Sequence, residues 1–573
     1  MRVSGLLIAS LLITTLPSLA GEAAGQRVRT GTEKAARNVQ RVFEARRRYQ
    51  LPRVPPRRDD CDVTIGRLCY WDDNRDARLP AERADVIRDR ARLRAALDSL
   101  AAADPRSDYI LGQRVRYALE ASDTAAALAM LGACGATPWW CHALQGLVWH
   151  RAAYEERSAA AFDSALALMS DTLRCAWLDV RSWLPPGAHW PKEDAPPCVQ
   201  RDVVSARLLW LAAPLLTWRP NATRDEFLSR RTMATLLAGT ATPHGLAWGP
   251  DMAELSLRFG WPDRWARETE AAFTVAPAEI HVVGDEPTPS FDLVPNAKAL
   301  ESPFTAAAAD WRSADGDITM RYAPGWLRVL DSLPVQVARF RRAGGESTTV
   351  VVVYDARALL SDTVTAAARA TALLTASRDT AIAAATAAAL PIGTLVFDAP
   401  ARPALAAVEV VDTVHAQAAR WRAGLAPLAS TALVSDLLVG IASPGLRDLV
   451  LDSIQRYAVA SPRVTVHDTL ALYWETYARP TPGDPARVAL RLVPLSAGML
   501  GRIARSLGLA HAAPPLSLTW DDFGAADSSV ARSLRLAIPD VPPGRYRIEL
   551  AVDARGAHSA ASREIDVVRL PVP

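Results

Sequence analysis

The sequence predicts a multidomain α+β protein, with an α-helical N-terminal region followed by antiparallel β-sandwich-like domains. The chain has 573 residues, which is too long for one hydrophobic core and implies several domains. Half of the residues are hydrophobic and 22% are charged, as in folded globular proteins. The apolar period changes near residue 330, from helical steps of three and four to the alternation typical of strands.

The N-terminus has the features of a secretory signal peptide. Arg2 precedes an apolar run from Leu6 to Leu16, and small residues around Ala20 provide a cleavage site. We therefore expect residues 1–20 to be removed and the mature protein to be exported to the periplasm or the cell surface. The apolar run 208–218 is about half as long as a membrane span. It predicts a buried helix, so no transmembrane segment is expected in the mature chain.

All six cysteines lie before residue 200, and in an exported chain we expect structural disulfides. A zinc site is not indicated, because no Cys-x-x-Cys pair occurs. Six cysteines allow 15 pairings, so the sequence leaves the connectivity open. The cysteines fall into three groups of sequence neighbours, Cys61 with Cys69, Cys134 with Cys141, and Cys175 with Cys198.

Residues 26–58 form a basic segment, with eleven Arg or Lys against two Glu. One interpretation is a solvated arm that contains a helix over 31–48. The other is peripheral contact with an anionic surface, such as lipid headgroups or an envelope polymer. The net charge of the whole chain is only +3, which argues against a nucleic-acid-binding protein.

The spacing of apolar residues over Pro80–Ala103 predicts a helix. After it, similar residues occur 34 positions apart, with Gly146 in the place of Gly112 and Phe162 in the place of Leu128. A small residue at such a position admits a neighbouring helix, whose large side chain fills the groove beside it. The pattern resembles the tetratricopeptide repeat, and this resemblance implies a groove for peptides or partner proteins. A helical packing module is the other interpretation. Two further helices are expected to complete the stack, over 172–182 and 200–217.

Alternating apolar and polar residues predict strands after residue 330. Residues 335–340 and 348–354 flank a turn and predict a hairpin. The Ala- and Thr-rich segment 363–390 is ambiguous, and the strands beside it favour β structure. We place the boundary between two sandwiches at residues 460–463. Further strands are expected at 470–477, 488–493, 545–552 and 563–570.

One segment, AWGPDMAELSLRFGWPDRW at residues 247–265, concentrates three tryptophans, three acids and two arginines. Apolar residues at 255, 257 and 259 alternate with polar ones, so we predict a short strand between two turns. We also expect this segment to be the hinge between helices and sheets. Its candidate binding residues are Trp248, Asp251, Glu254, Arg258 and Trp261.

Two kinds of chemistry are open to these residues. Asp251, Glu254 and Asp263 can supply the carboxylates of acid-base catalysis or hydrolysis, and exposed tryptophans can stack on sugars. The structural interpretation is that the acids form salt bridges and cap turns while Trp248 and Trp261 fill the core. The chain lacks the motifs of zinc proteases, nucleophile elbows, phosphate loops and dinucleotide sites, so no cofactor or metal is expected.

The same segment resembles the GWxTD domain of secreted bacterial proteins. Trp248 and Asp251 match the Gly-Trp-x-Thr-Asp core, whereas Ala247 and Pro250 replace its Gly and Thr. Weaker similarities, in the order of the family, extend over roughly residues 200–573, including LPVQVARFRR and PPGRYRIELAVDARG. The family has no established biochemical activity, so the resemblance implies an architecture and not a reaction.

Taken together, these patterns predict an exported envelope scaffold or interaction protein without catalytic activity, which binds protein or polymer partners. The alternatives are a hydrolase of envelope or extracellular polymer, with its site near residues 244–265, and a carbohydrate-binding protein. The predicted domains are a signal peptide at 1–20, a basic arm and disulfide loop at 21–80, a tetratricopeptide-like domain at 81–220, a GWxTD-like module at 221–325, a first β-domain at 326–460 and a β-sandwich-like domain at 461–573.

Overall fold

The structure is a computed structural model of the chain. The described residues are 30–56, 60–71, 79–188, 198–217, 220–268, 281–285, 294–311, 319–322, 324, 326–342, 344–360, 367–443, 450–461, 463–477, 484–495, 516–523, 529–539 and 541–569. The predicted signal peptide lies outside these ranges.

Helices make up most of the described residues before residue 300. The described helices are α1 Gly31–Gln50, α2 Ala84–Ala103, α3 Asp108–Glu120, α4 Thr124–Gly132, α5 Pro138–Arg151, α6 Glu155–Leu168, α7 Asp171–Trp177, α8 Val199–Ala212, α9 Ala222–Leu237, α10 Pro250–Phe259, α11 Ala297–Glu301 and α12 Leu451–Ile454.

Strands dominate after residue 328. The described strands are β1 Arg53–Val54, β2 Val63–Ile65, β3 Leu68–Tyr70, β4 Arg264–Glu268, β5 Val282–Asp285, β6 Val329–Ser332, β7 Val335–Arg341, β8 Ser347–Asp355, β9 Arg369–Ser377, β10 Thr380–Ala388, β11 Ile392–Pro400, β12 Ala404–Asp412, β13 Gln417–Leu425, β14 Leu438–Ile441, β15 Arg463–Thr465, β16 Thr469–Thr476, β17 Ala486–Pro494, β18 Leu516–Asp522, β19 Val530–Ala537, β20 Gly544–Ala554 and β21 Ala557–Val568. The predicted α+β class, helices first and sandwich-like sheets after them, is confirmed.

The first sandwich packs a five-stranded sheet, in the order β10-β9-β12-β13-β6, against a three-stranded sheet, β11-β8-β7. Buried valines of β8 and alanines of β9 and β12 form the core between the two sheets. The predicted hairpin is β7 and β8, which pair antiparallel. The ambiguous segment 363–390 forms β9 and β10, because its alanines pack as small side chains against this core. Residues 361–366 lie outside the described part.

The second sandwich packs a three-stranded sheet, β14-β16-β19, against a five-stranded sheet, β15-β21-β20-β17-β18. Its strand β14 lies before the predicted boundary at residues 460–463, so that boundary was placed too late in the chain. The sequence has no signal for this, since the pairing of β14 with β16 spans about thirty residues. The outer faces of β7 and β8 pack against β14 and β16, which joins the two sandwiches.

The helical repeats form two hairpins, α3 with α4 and α5 with α6. In the second hairpin, a Cβ atom at Gly146 would lie 2.6 Å from the Phe162 ring, so this glycine admits the large side chain as expected. The first hairpin differs, because Gly112 faces Trp140 and Leu236. Leu236 belongs to α9, which packs against both α3 and α5, so the first helix of each hairpin already has a partner helix from the same chain.

The largest hydrophobic cluster of the helical half extends beyond the predicted border at residue 220, beside a smaller cluster formed by α1, α2 and α3. It includes Phe162 of α6, Phe227 of α9, Trp261 and Trp265 after α10, and Leu405 of β12. The predicted tetratricopeptide-like and GWxTD-like regions therefore share one interior.

Arginine 422 connects this helical half to the first sandwich. Its guanidinium is buried in β13 and donates to the carbonyl oxygens of Leu211 and Ala213, at the C-terminal end of α8. Glu409 of β12 lies 3.4 Å from Arg422 and accepts a hydrogen bond of 2.8 Å from the N–H of Leu215. A cation at a helix C-terminus satisfies free carbonyls and the helix dipole together.

The described part of the basic segment is not a solvated arm. Its helix α1 packs against α2 and α3, and Glu44 and Arg47 are buried there. Arg116 of α3 donates to Glu44 at 2.8 Å and to Glu120 at 2.8 Å, while Arg47 donates to Glu120 at 2.7 Å. Burial alone would raise the pKa of Glu120, but Arg47, Arg116 and Arg90 lower it to about 2. Two charged residues of this segment, Glu44 and Arg47, therefore belong to an internal ion network, while others remain exposed.

The disulfides join sequence neighbours. The bonds are Cys61–Cys69, Cys134–Cys141 and Cys175–Cys198. The first closes the β2–β3 hairpin, the second ties the loop after α4 to α5, and the third links α7 to the start of α8. Separately, no helix in the described ranges is both long and apolar enough to cross a bilayer.

We predict that Arg116→Ala destabilises the helical half by about 3 to 5 kcal/mol, because it leaves Glu44 and Glu120 buried without their shared cation. The measurement is the free energy of unfolding from urea titration, followed by tryptophan fluorescence. Arg114→Ala on the same helix is the control, since its partner Asp98 is half exposed, and its effect should stay within about 0.5 kcal/mol. Equal effects of the two variants would contradict a structural role for the network.

Candidate functional site around Asp251

The segment 247–265 folds around a helix and not around the predicted strand. Pro250 occupies the first turn of α10, where its missing N–H costs nothing, and Gly260 ends the helix with φ of +87°. Met252, Ser256 and Phe259 are buried at spacings of four and three residues. Alternation over five residues was too short to distinguish a strand from one face of a helix.

Asp251 in the first turn of α10 is bound by the disulfide-closed hairpin. Arg67 donates from Nε to Oδ2 at 2.6 Å and from Nη2 to Oδ1 at 2.9 Å, and its backbone N–H is 3.3 Å from Oδ2. Asp251 also accepts a hydrogen bond of 2.9 Å from the N–H of Met252. The hydrogen bonds from Arg67 hold the pKa of Asp251 well below its ordinary value. We refer to this bidentate pair as the Arg67–Asp251 clasp.

Two further contacts fix the hairpin on α10. Gly66, with φ of +55°, brings the hairpin turn so close that a Cβ atom there would lie 2.7 Å from Cβ of Asp251. Tyr70 of β3 stacks on Phe259, with ring centroids 3.6 Å apart and planes inclined by 8°. Since the Cys61–Cys69 bond closes the same hairpin, these contacts act on one short rigid unit.

The predicted pair of Glu254 and Arg258 lies one helical turn apart on α10. The two side chains are 3.2 Å apart, and Arg258 also donates to the carbonyl oxygen of Thr319 at 2.6 Å. Glu254 is nearly half exposed, so this is a surface ion pair of small energetic value. The pair ties α10 to the 319–322 segment.

The tryptophans of the segment lie in the protein interior. Trp261 is 7% exposed and packs against Trp265, with ring centroids 4.9 Å apart. His244 lies edge-on to Trp265 at 4.9 Å, and burial lowers the pKa of His244 to about 4. Trp248 is half-buried against the same helical core.

These contacts form a structural clasp between α10 and the β2–β3 hairpin. Asp251 is held as a carboxylate by Arg67, which suits neither a general acid nor a base near neutral pH. Trp261 has too little exposed surface to stack on a sugar. The contacts of α10 described above go to the β2–β3 hairpin, the helical half and the 319–322 segment. No group of three His, Cys, Asp or Glu side chains in the described ranges could hold a metal ion.

A second polar cluster, which the sequence did not predict, lies between α5 and α9. His150 and Glu226 are joined by a hydrogen bond of 2.6 Å, and Arg230 donates to the other oxygen of Glu226. Beside them, burial raises the pKa of Asp225 to about 6, against the opposing charges of His150 and Arg224. The sequence of α9 did not indicate this cluster. Both faces of α9 are buried because the helix packs against α5 and α6, and the order of its polar residues does not show that.

We predict that Arg67→Gln releases the hairpin with little change in global stability, because Arg67 is half exposed and its ion pair is screened by water. Hydrogen exchange of the amides in residues 61–70 should become faster. Arg83→Gln is the control, since its exposed pair with Asp85 joins residues two apart in one segment. Unchanged exchange in the Arg67 variant would show that the stacking of Tyr70 and the disulfide position the hairpin without the clasp.

The pH dependence of stability should report Asp225. Its pKa in the folded state is above its ordinary value, so its favourable contribution is complete in acid and is lost as the pH rises through about 6. Asp225→Asn should therefore stabilise the protein at about pH 8, by at most about 3 kcal/mol, and have little effect below about pH 4.

The control for Asp225 is Asp171→Asn, because Asp171 has a side chain that is 86% exposed. His244 acts in the opposite direction, since its lowered pKa removes stability as the pH falls from about 6 toward 4. The difference between each variant and the wild type, measured by thermal unfolding across this range, isolates Asp225. A difference that does not change with pH would contradict the assignment.

Comparisons with known proteins give little that bears on this site. No family model matches the chain, and no curated protein matches it. Among solved structures, Escherichia coli alpha-2-macroglobulin activated by porcine elastase is similar at a TM-score of 0.14 and 9% identity, over 44% of this chain and 24% of that chain. The chain thus spans about a quarter of that protein, and a similarity of this size carries no argument about fold or function.

Proposed function

We propose that the chain is an exported envelope scaffold without catalytic activity, which binds protein or polymer partners and has a GWxTD-like architecture. The observation that carries the proposal is the Arg67–Asp251 clasp. Segment 247–265 contains all five candidate binding residues. Its Asp251 carboxylate holds a disulfide-closed hairpin, and its Trp261 fills the core. The three disulfides are consistent with an oxidising compartment and support export.

Partner binding is assigned to the sandwiches and not to a helical groove. The first helices of both repeat hairpins, α3 and α5, pack against α9 of the same chain, and Gln113 of α3 donates to the carbonyl oxygen of Leu236 in α9 at 3.2 Å. The sandwiches carry exposed apolar side chains, such as Ile392 and Val396 on one face of β11. Contact with an anionic surface through residues 26–58 belongs to the same proposal and would use Lys34, Arg41 and Arg46, which are exposed on α1.

The proposal is tested by measuring turnover and binding with the same purified mature chain. Envelope and extracellular polymers, including peptidoglycan and capsular polysaccharide, are incubated with the wild type and with Asp251→Asn and Glu254→Gln variants of verified folding. We expect no turnover by any of the three. Turnover that both variants lose would replace the scaffold with the hydrolase alternative.

Binding is measured with the wild-type chain cross-linked in its native envelope and then reconstituted with each recovered component in purified form. The scaffold proposal expects a component that rebinds, with an affinity that Asp251→Asn leaves unchanged because Asp251 faces its own hairpin. Saturable binding of a soluble oligosaccharide together with quenching of tryptophan fluorescence would favour the carbohydrate-binding alternative. If no component rebinds, the scaffold proposal is wrong.

A further inference from the structure

The edge strands of the four large sheets differ in how they are protected. An unpaired edge invites pairing with another strand, and proteins usually prevent this with charged residues or proline on the edge. Among the described edge strands of seven or more residues, charge or proline is present in four: Arg339 in β7, Asp398 in β11, Asp521 in β18 and Arg532 in β19. The fifth, β10, has neither.

The strand β10 is an edge made of small, uncharged residues. Its sequence, TAIAAATAA, contains six alanines, two threonines and one isoleucine, and none of its nine residues is buried. In the described part of the chain it pairs with β9 alone. A register shift near Ile382 interrupts the first part of this pairing, and Ala383–Ala388 then follow a regular antiparallel register. Six residues of regular, unprotected edge are therefore available for a further strand.

We propose that β10 is a self-association edge, through which two copies of the chain pair antiparallel and join their five-stranded sheets. Every antiparallel register of Ala383–Ala388 on a second copy places Ala or Thr opposite Ala or Thr, so no like charges meet and no bulky side chain separates the backbones. Such pairing is isologous: each copy uses the same edge, and the two edges satisfy each other. A second copy of the chain therefore supplies a complementary strand, because it carries the same β10 edge.

The strand β9 shows the kind of contact that such pairing would repeat. Its Thr371 hydroxyl lies 3.1 Å from the hydroxyl of Thr386 in β10, and Ala370 and Ala372 pair with Ala387 and Ala385. An Ala- and Thr-rich strand already pairs with β10 on one side through the backbone and short side chains. The second copy offers the same chemistry to the other side. This inference goes beyond the proposed scaffold function and does not depend on a heterologous partner.

The test uses the mature full-length chain in sedimentation velocity over a concentration series. We expect a reversible dimer in the wild type, and Ala384→Lys should weaken it about tenfold, since full pairing of Ala383–Ala388 then places a charged lysine opposite Ala387 in both halves of the paired edge. An equimolar mixture of Ala384→Lys and Ala387→Glu should restore it, because this lysine and this glutamate lie opposite each other in that register. The control is Ala560→Lys, which adds the same charge at an exposed alanine of β21. Thermal unfolding verifies that each variant is folded.

Hydrogen exchange gives the location. In the wild type, the amides of Ala383–Ala388 should gain protection as the concentration rises, and those of β21 should not. A wild-type chain that stays monomeric throughout, or an Ala384→Lys variant that dimerises as the wild type does, overturns the proposal. A dimer without any rebinding envelope component would leave this inference intact and refute the scaffold function, whereas a monomer with such a component would do the reverse.

Discussion

The contact of Arg422 with the end of α8 is the constraint on which the relation between the two halves depends. A buried guanidinium has to find acceptors for its N–H groups, and here it finds two helix carbonyls and the carboxylate of Glu409. Burial lowers the pKa of Arg422 to about 9. Because the acceptors belong to the end of α8 and the donor to β13, any shift of the sandwich that keeps this interface buried leaves Arg422 without its acceptors.

The same principle operates inside the helical half. Alanine-rich helices provide few large side chains, and charged residues on α1 and α3 enter the interior as a mutually satisfied network around Arg116. Such a network adds little net stability, but it raises the free energy of any other packing, because one misplaced partner leaves a buried charge unpaired. The disulfides add covalent constraints in this half, whereas the sandwiches rely on two hydrophobic interiors and on the apolar contact between them.

The candidate site belongs to this architecture. Asp251 and Arg67 are 184 residues apart in sequence, and the clasp places a hairpin on a helix in the way that Arg422 places a sheet on one. A carboxylate with so low a pKa is a structural element, and the aromatic residues beside it fill the core. The strand β10 is an unprotected edge of the first sandwich, and both proposals place association with proteins on the sandwiches.

The sequence by itself determined the α+β class, the change from helix to sheet near residue 330, the hairpin of β7 and β8, and the close approach of Gly146 to Phe162, because each rests on local periodicity or on neighbours in the chain. The alternating residues of α10 predicted the wrong element, since a short apolar pattern fits a strand or a helix equally until a partner surface selects one. Tertiary structure alone decided that Arg47 is buried, that β14 joins the second sandwich, and that Asp251 meets Arg67. Those outcomes depend on contacts between residues far apart in sequence. Electrostatic and packing energies act between residues that are close in space, and local patterns in the sequence do not reveal which distant residues become neighbours.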